Sequence, residues 1–390
     1  MSCVILGAGK IARGFIGHLL YLSGIDFTFV DKNDVLVDLI NSQGKYTIEL
    51  FGNGSCVVQH ARAWKFSQRE EIIKAIEEAD AVFTAVGGKN LPELAPFLAD
   101  GVKAKMSASS TACLNIVTCE NWKNPAGVLR EGIESLLSAE EKVYFQTHVG
   151  VTEAVIMRSA IEASEEERQR DPLVVKVQDF WELPIDFSRV VGKFPAMQYV
   201  KPIYEFTGFL ERKFYTYNAA NGTVSYLGAL FGYEKIADAA HDGRILEILR
   251  GVYEETSKAL AAKHRFPLDE QIAFTETSRK KLQDYTIVDY IERNARDPLR
   301  KLGRDDRLIG SARLVYEYGI VPDCLCTAAA AAIFYENDQD ESAVRLKKMR
   351  EEQGIDYILN TVCGLEQDGA IAGLIKQKVD ELKKRGWIRE

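Results

Sequence analysis

The sequence predicts an α/β Rossmann-type dinucleotide-binding domain over residues 1–195, followed by a mostly α-helical domain over residues 196–390. Three observations carry this expectation. The first 31 residues read as strand, glycine turn, helix, strand and acid. Apolar strand-like runs then alternate with helical patterns to about residue 190. Beyond about Pro195 nearly every apolar run has the 3.6-residue period of a helix.

The opening stretch organises the first domain. Cys3-Val4-Ile5-Leu6 reads as a buried strand, and Gly7-Ala8-Gly9-Lys10-Ile11-Ala12 follows directly. An amphipathic helix runs through Phe15, Ile16, Leu19, Leu20 and Leu22 to Ser23-Gly24, and the strand Phe27–Val30 ends on Asp31. Such a β-α-β unit binds a dinucleotide. Gly7 lets the chain turn sharply, Gly9 admits a pyrophosphate to the amides of Lys10, Ile11 and Ala12, and Ala12 is small enough for close helix packing. Asp31 can accept hydrogen bonds from the adenosine ribose and repels a 2′-phosphate, which favours NAD over NADP. Lys32 follows it and leaves some tolerance of NADP open.

Further along, Tyr46–Leu50 and Cys56–His60 look like a hairpin around Gly52-Asn53-Gly54. Helices are expected at 35–40, 70–79, 91–98 and 126–139, and strands at 81–86, 114–121, 143–146 and 173–177. Gly87-Gly88, after the strand at 81–86, allows close approach to a cofactor or forms a plain turn. Glu120 and Asn121 end the next strand, where ligands of open α/β sheets bind, and are either site residues or helix caps. His148 and Gly150 fall just past the strand expected at 143–146; the histidine is either an acid/base or an ordinary hydrogen-bonding group.

Composition excludes several classes of function. Hydrophobic residues make up 46% and charged residues 27% of 390, and the net charge is −8. Basic tracts of the kind that follow a nucleic-acid backbone are missing, as are a signal-like leader and a membrane-length apolar run. Seven cysteines without a C-x-x-C pair point to reduced thiols in a cytoplasmic protein, and five scattered histidines give no metal-ligand spacing. Oligomeric state is left open between monomer and homodimer.

In the helical half, Glu211-Arg212-Lys213 and Asn218-x-x-Asn221 carry the best chemistry. On an α-helix Asn218 and Asn221 lie about 140° and 80° round from Lys213. A buried Lys213 could act as a base on an alcohol, with the two amides donating to its oxygen. The plain reading is a surface lysine and two surface asparagines. A second cluster, Arg293 to Arg307, packs six basic residues into fifteen. It either fixes a phosphate or carboxylate, with Arg296, Arg300 and Arg304 as candidates, or ties a turn to the core through salt bridges.

Taken together, Gly7 to Gly17, Cys119-Glu120-Asn121, Glu211-Arg-Lys213-x4-Asn218 and Asp297 to Leu308 resemble the mannitol dehydrogenase family, the polyol-specific long-chain dehydrogenases, from end to end. The resemblance implies NAD-dependent hydride transfer, of the mannitol 1-phosphate and fructose 6-phosphate type. Sibling activities are mannitol 2-dehydrogenase and hexuronate reductase on unphosphorylated substrates. It implies Lys213 as base and Asn218 as the group that orients the reacting oxygen. The family's Lys-x4-Asn-x2-His pattern places histidine at Asn221, and asparagine donates a hydrogen bond but relays no proton near pH 7. A dinucleotide-binding protein with impaired turnover is the reading this departure motivates. A second departure is Met157-Arg158, which keeps the basic residue of a family motif and loses the acid before it.

Overall fold

The computed structural model describes residues 1–161 and 163–388. The chain divides into two compact units, Met1–Phe206 and Thr207–Glu390.

The first unit is built on a six-stranded sheet of β1 (Ser2–Leu6), β2 (Asp26–Asp31), β5 (Ala63–Lys65), β6 (Ala81–Thr84), β7 (Leu114–Thr118) and β8 (Val149–Glu153), in the order β5-β2-β1-β6-β7-β8. Every pairing in it is parallel. A parallel sheet must be covered on both faces, which is why its strands read as unbroken apolar runs. Cys3, Ile5, Phe29, Phe83 and Val117 point into one core, with Phe15, Ile16, Leu19 and Leu20. Their neighbours Val4, Leu6, Val30, Val82 and Ile116 point into the other.

That second core is closed by α3 (Arg69–Glu78), α4 (Ala95–Ser107) and α5 (Pro125–Glu134), and α1 (Gly17–Leu22) covers the first. α2 (Asp34–Gln43) starts where Asn33 Oδ1 accepts the Leu36 amide at 3.1 Å and stops at left-handed Gly44. The hairpin at 45–59 forms as β3 (Lys45–Leu50) and β4 (Ser55–Gln59). It extends through β10 (Val175–Val177) to β9 (Ala160–Ile161) in a second sheet. β11 (Leu183–Asp186) pairs with β12 (Val200–Ile203), which keeps residues 196–206 with the first unit.

Two expectations here are corrected. Residues 143–146 are not a strand but lie within α6 (Ala139–His148). A capping box starts this helix: Glu141 N donates to Ser138 Oγ at 3.3 Å and Ser138 N to Glu141 Oε2 at 2.7 Å. His148 therefore ends a helix, stacked on Tyr144 at 4.3 Å, and Gly150 sits inside β8. Leu91 to Leu94 belong to a 3₁₀ turn, Gly88–Leu94, because Pro92 has no amide to donate. α7 (Glu165–Arg170) is a short surface helix.

The second unit is helical. α8 (Phe206–Lys213) passes through a π-helical turn, Phe214–Asn218, into α9 (Ala219–Leu230). α10 (Ile236–His241), α11 (Gly243–His264), α12 (Leu268–Leu282), α13 (Ile291–Ala295), α14 (Pro298–Lys301) and α15 (Ile309–Glu317) follow. α16 (Asp323–Ile333) is central: its buried run Ala328 to Ala332 lets α9, α11 and α18 (Ala370–Lys384) approach closely. α17 (Glu341–Thr361) is interrupted at Gly354, whose φ of 83° no helix accommodates. Among the described residues no helix is long and apolar enough to cross a membrane. Nor does any group of three or more His, Cys, Asp or Glu there stand ready to hold a metal.

Candidate active site

Because β1, β2, β6 and β7 are parallel, their carboxyl ends share one edge, and the first-unit candidates gather there. Gly7 sits at φ +103°, and a Cβ on it would lie 2.4 Å from the Ala85 carbonyl oxygen, so the turn out of β1 requires glycine. At Gly9 a Cβ would meet nothing within 4 Å, which leaves its backbone open to a ligand. Ala12 is buried at the start of a second π-helical turn, Ala12–Ile16, while Lys10 and Ile11 are half-buried beside the loop.

Asp31 is committed on both oxygens and still has lone pairs to offer. Oδ2 accepts the Ala8 amide at 2.6 Å and Oδ1 the Asn33 amide at 2.8 Å, which fixes the carboxylate at the tip of β2. A cleft of about 270 Å³ opens beside it, lined by Gly7, Gly9, Asp31, Phe66, Val86 and Asn90 among others. Lys32, on the same cleft, is ion-paired with Glu93.

Glu120 turns out to shape the loop after β6. Its Oε1 accepts the Val86 amide at 2.9 Å and the Thr84 hydroxyl at 3.1 Å, and its Oε2 accepts the Gly87 amide at 2.9 Å. The buried carboxylate thus holds the 86–87 backbone, and Gly87 takes φ +84°. Asn121 is exposed. Arg158 is buried under α1, where Nε donates to Phe180 O at 2.6 Å and Nη1 to Gly14 O at 2.8 Å. It lies over the Phe15 and Trp181 rings, so its work there is to tie segments together.

In the second unit the π-helical turn changes the expected geometry. The Ala219 amide bonds to the Phe214 carbonyl, five residues back. Across such a turn residues five apart come into line, as residues four apart do in an α-helix. Lys213 and Asn218 therefore share a face that a regular helix would split by about 140°. Gly222, four residues beyond Asn218, lies on it too. The Arg307 side chain packs there, 3.3 Å from where a Gly222 Cβ would stand and over the Phe214 ring.

Burial, reinforced by the Arg307 charge, pushes the Lys213 ammonium down to about 8. Lys281, on α12, is lowered to about 8 by burial and by the nearby Lys213 charge. Lys301 is lowered to about 8 by burial and then by Arg307 and Arg300, and its Nζ donates to Asn294 O at 2.5 Å. Asn221 donates through Nδ2 to Asn294 Oδ1 at 3.0 Å, so its amide is anchored to α13.

The basic candidates separate. Arg300 pairs with Asp297 at 2.6 Å and Asp306 at 3.3 Å, Arg304 donates to Gly364 O, and Arg296 is exposed. Arg307, hydrogen-bonded to Asp306 at 2.8 Å, is the basic residue of that stretch whose charge reaches Lys213.

Lys281 escaped the sequence reading because Arg279-Lys280-Lys281 resembles a solvated helix end. The signal was its place three residues after Ser278, on the stripe Gln271, Thr275 and Ser278 that α12 turns inward. Positive charge so gathered, in a partly dehydrated setting, is suited to an anionic group.

Comparison with known proteins agrees along the whole chain. Residues 1–199 match the family model of the mannitol dehydrogenase Rossmann domain, and residues 205–383 that of the mannitol dehydrogenase C-terminal domain. A mannitol-1-phosphate 5-dehydrogenase of Bacillus licheniformis is 34% identical over 378 residues, covering 96% of this chain and 98% of the relative. Among solved structures, a substrate-free D-sorbitol dehydrogenase superposes with a TM-score of 0.81 at 14% identity, covering 99% of this chain and 93% of that one. Pseudomonas fluorescens mannitol 2-dehydrogenase, in a ternary complex with NAD and D-mannitol, gives 0.70 at 14% identity over 99% and 92%. At that identity the structural likeness is one of fold.

Proposed function

The chain belongs to the mannitol dehydrogenase family, and from that premise we propose that it interconverts a polyol phosphate and its ketose phosphate using NAD(H), the pair being of the mannitol 1-phosphate and fructose 6-phosphate type. The observation that carries the phosphorylated substrate is the packing of Arg307 against Gly222 and over Phe214, beside the Lys213 and Asn218 face, where its charge acts on both Lys213 and Lys301. Arg307, with Lys281 and Lys301 when protonated, offers a phosphate charge-assisted hydrogen bonds that a neutral polyol cannot make, and Lys213 is left to handle the proton. The 34% identity to a mannitol-1-phosphate 5-dehydrogenase supports the same choice.

The residues present fit the dinucleotide. Gly9 leaves its backbone bare for the pyrophosphate, Asp31 is fixed to receive ribose hydroxyls, and Glu120 holds Val86 and Gly87 beside the cleft. The Asp31 charge opposes a 2′-phosphate, and the Lys32 ammonium that could offset it is paired with Glu93. When bound, the nicotinamide takes up or returns the hydride.

In the oxidation direction neutral Lys213 takes the hydroxyl proton as the carbon loses hydride. Asn218, on the same helical face, donates to the oxygen as it becomes a carbonyl. Asn221 has its amide committed to Asn294 and serves as a fixed polar neighbour, with no proton to relay. Arg307 helps to lower Lys213 to about 8, so that the base is free above that pH, and offers the phosphate a guanidinium.

The pH dependence follows from this assignment. The base must be unprotonated to oxidise the polyol, so kcat/KM for oxidation should rise through about pH 8 and level off above it. Ketose reduction needs the protonated lysine and should fall over the same interval. Profiles measured between pH 7 and 10, above the phosphate's own second ionisation near about 6, test this. Flat profiles in both directions would remove Lys213 from the proton-handling role.

A further inference from the structure

We propose that Gln271 is a positioning residue: from α12 it clasps the chain on both sides of Lys213 and holds the π-helical turn that aligns Lys213 with Asn218. The inference rests on Lys213 being the base. A π-helical turn is rarer and less favourable than the α-helix around it, so it persists where other contacts fix it. Reverting to α-helical bonding would rotate Lys213 by about 100° relative to Asn218.

Gln271 is fully buried. Its Nε2 donates to Thr216 Oγ1 at 3.0 Å, and Thr216, also fully buried, is the middle residue of the turn. Its Oε1 accepts from Arg212 Nε at 2.6 Å. Arg212 is itself held over the Phe266 and Phe274 rings, and its Nη2 donates to the Glu270 carbonyl at 2.8 Å. One amide thus joins residue 212, just before the lysine, to residue 216, within the turn. A buried amide used at both ends is costly to replace by an apolar side chain, because each abandoned partner stays out of water. Burial and the Arg307 charge hold Lys213 down, and on this proposal rotation of the lysine carries it away from both.

The test reads Lys213 directly. Trace acylation of the intact protein across pH 6.5–11, followed by peptide mapping, gives the midpoint of Lys213 reactivity, with Lys301 in the same digest as an internal control. In Gln271→Met the Lys213 midpoint should move up from about 8 towards that of an exposed lysine, while that of Lys301 stays. Gln271→Glu keeps an acceptor for Arg212 and gains one for the Thr216 hydroxyl, and should restore kcat; its carboxylate itself raises the Lys213 midpoint, so this variant is read by turnover. Thr216→Val breaks the same contact from the other side and should behave as Gln271→Met does, which covers failure of the latter to fold.

In turnover, both breaking variants should lose about 10–100-fold in kcat, with KM for NADH unchanged. An unchanged Lys213 midpoint in Gln271→Met and Thr216→Val, with only a lower melting temperature, would overturn the proposal. The acylation readout needs no substrate. Absence of wild-type turnover would therefore count against the proposed reaction, while the midpoint shift decides the role of Gln271 separately.

Discussion

Lys213→Ala should lower kcat for both oxidation and reduction by about 10²–10⁴-fold, the range set by loss of a general acid–base. NADH affinity should hardly change, because the residues assigned to the dinucleotide all lie in the first unit. Fluorescence titration with NADH beside steady-state kinetics checks both halves of this expectation. Part of the lost rate should return with added small primary amines, which can enter the space the side chain leaves. Full turnover in Lys213→Ala would show that another group, of which Lys281 is the nearest in character, handles the proton.

The second large effect concerns the glycine turn, where two substitutions two residues apart should fail for different reasons. Gly7→Ala places a Cβ 2.4 Å from the Ala85 carbonyl oxygen at a φ of +103°, so it should lower the melting temperature of the ligand-free protein by several degrees and weaken NADH binding as well. Gly9→Ala meets nothing within 4 Å. It should leave the ligand-free melting temperature alone and weaken NADH binding about ten- to hundredfold, because the methyl group occupies the approach to the backbone amides. Calorimetry of each variant with and without NADH separates the two. Wild-type affinity in Gly9→Ala would remove this loop from the cofactor site.

What could be read from the sequence was what local chemistry dictates. The parallel strands declared themselves as unbroken apolar runs, since a sheet covered on both faces leaves no polar side to alternate with. The helical half showed in its 3.6-residue periodicity, although the interruption of α17 at Gly354 is a matter of backbone conformation that periodicity does not report.

The failures share a physical cause. Val143–Gln146 contains β-favouring side chains, but Ser138 and Glu141 had already committed the chain to a helix through a reciprocal cap. Sequence-local β propensity is the weaker of those two signals. The π-helical turns at 12–16 and 214–218 have no compositional mark, because they differ from an α-helix only in which carbonyl each amide selects. For that reason the alignment of Lys213 with Asn218 was invisible to a 3.6-residue wheel. Contacts between distant stretches, such as Glu120 with Val86 and Gly87 and Asn221 with Asn294, and the charge that Lys213 exerts on Lys281, depend on the fold being formed.

The substrate assignment is tested most directly by NADH oxidation at 340 nm with purified protein and fructose 6-phosphate, run in parallel with fructose, tagaturonate and fructuronate. The expected result is turnover with the phosphorylated ketose, kcat/KM at least about 100-fold above the others, from charge-assisted contacts worth some 1.5–3 kcal/mol each. Turnover confined to fructose would contradict it and assign the Arg307 cluster to structure, while turnover confined to a hexuronate would contradict it and give the cluster a carboxylate to bind. Tight NADH binding with no turnover on any of the four would mark Asn221, in the histidine position, as the sign of a changed or abandoned reaction.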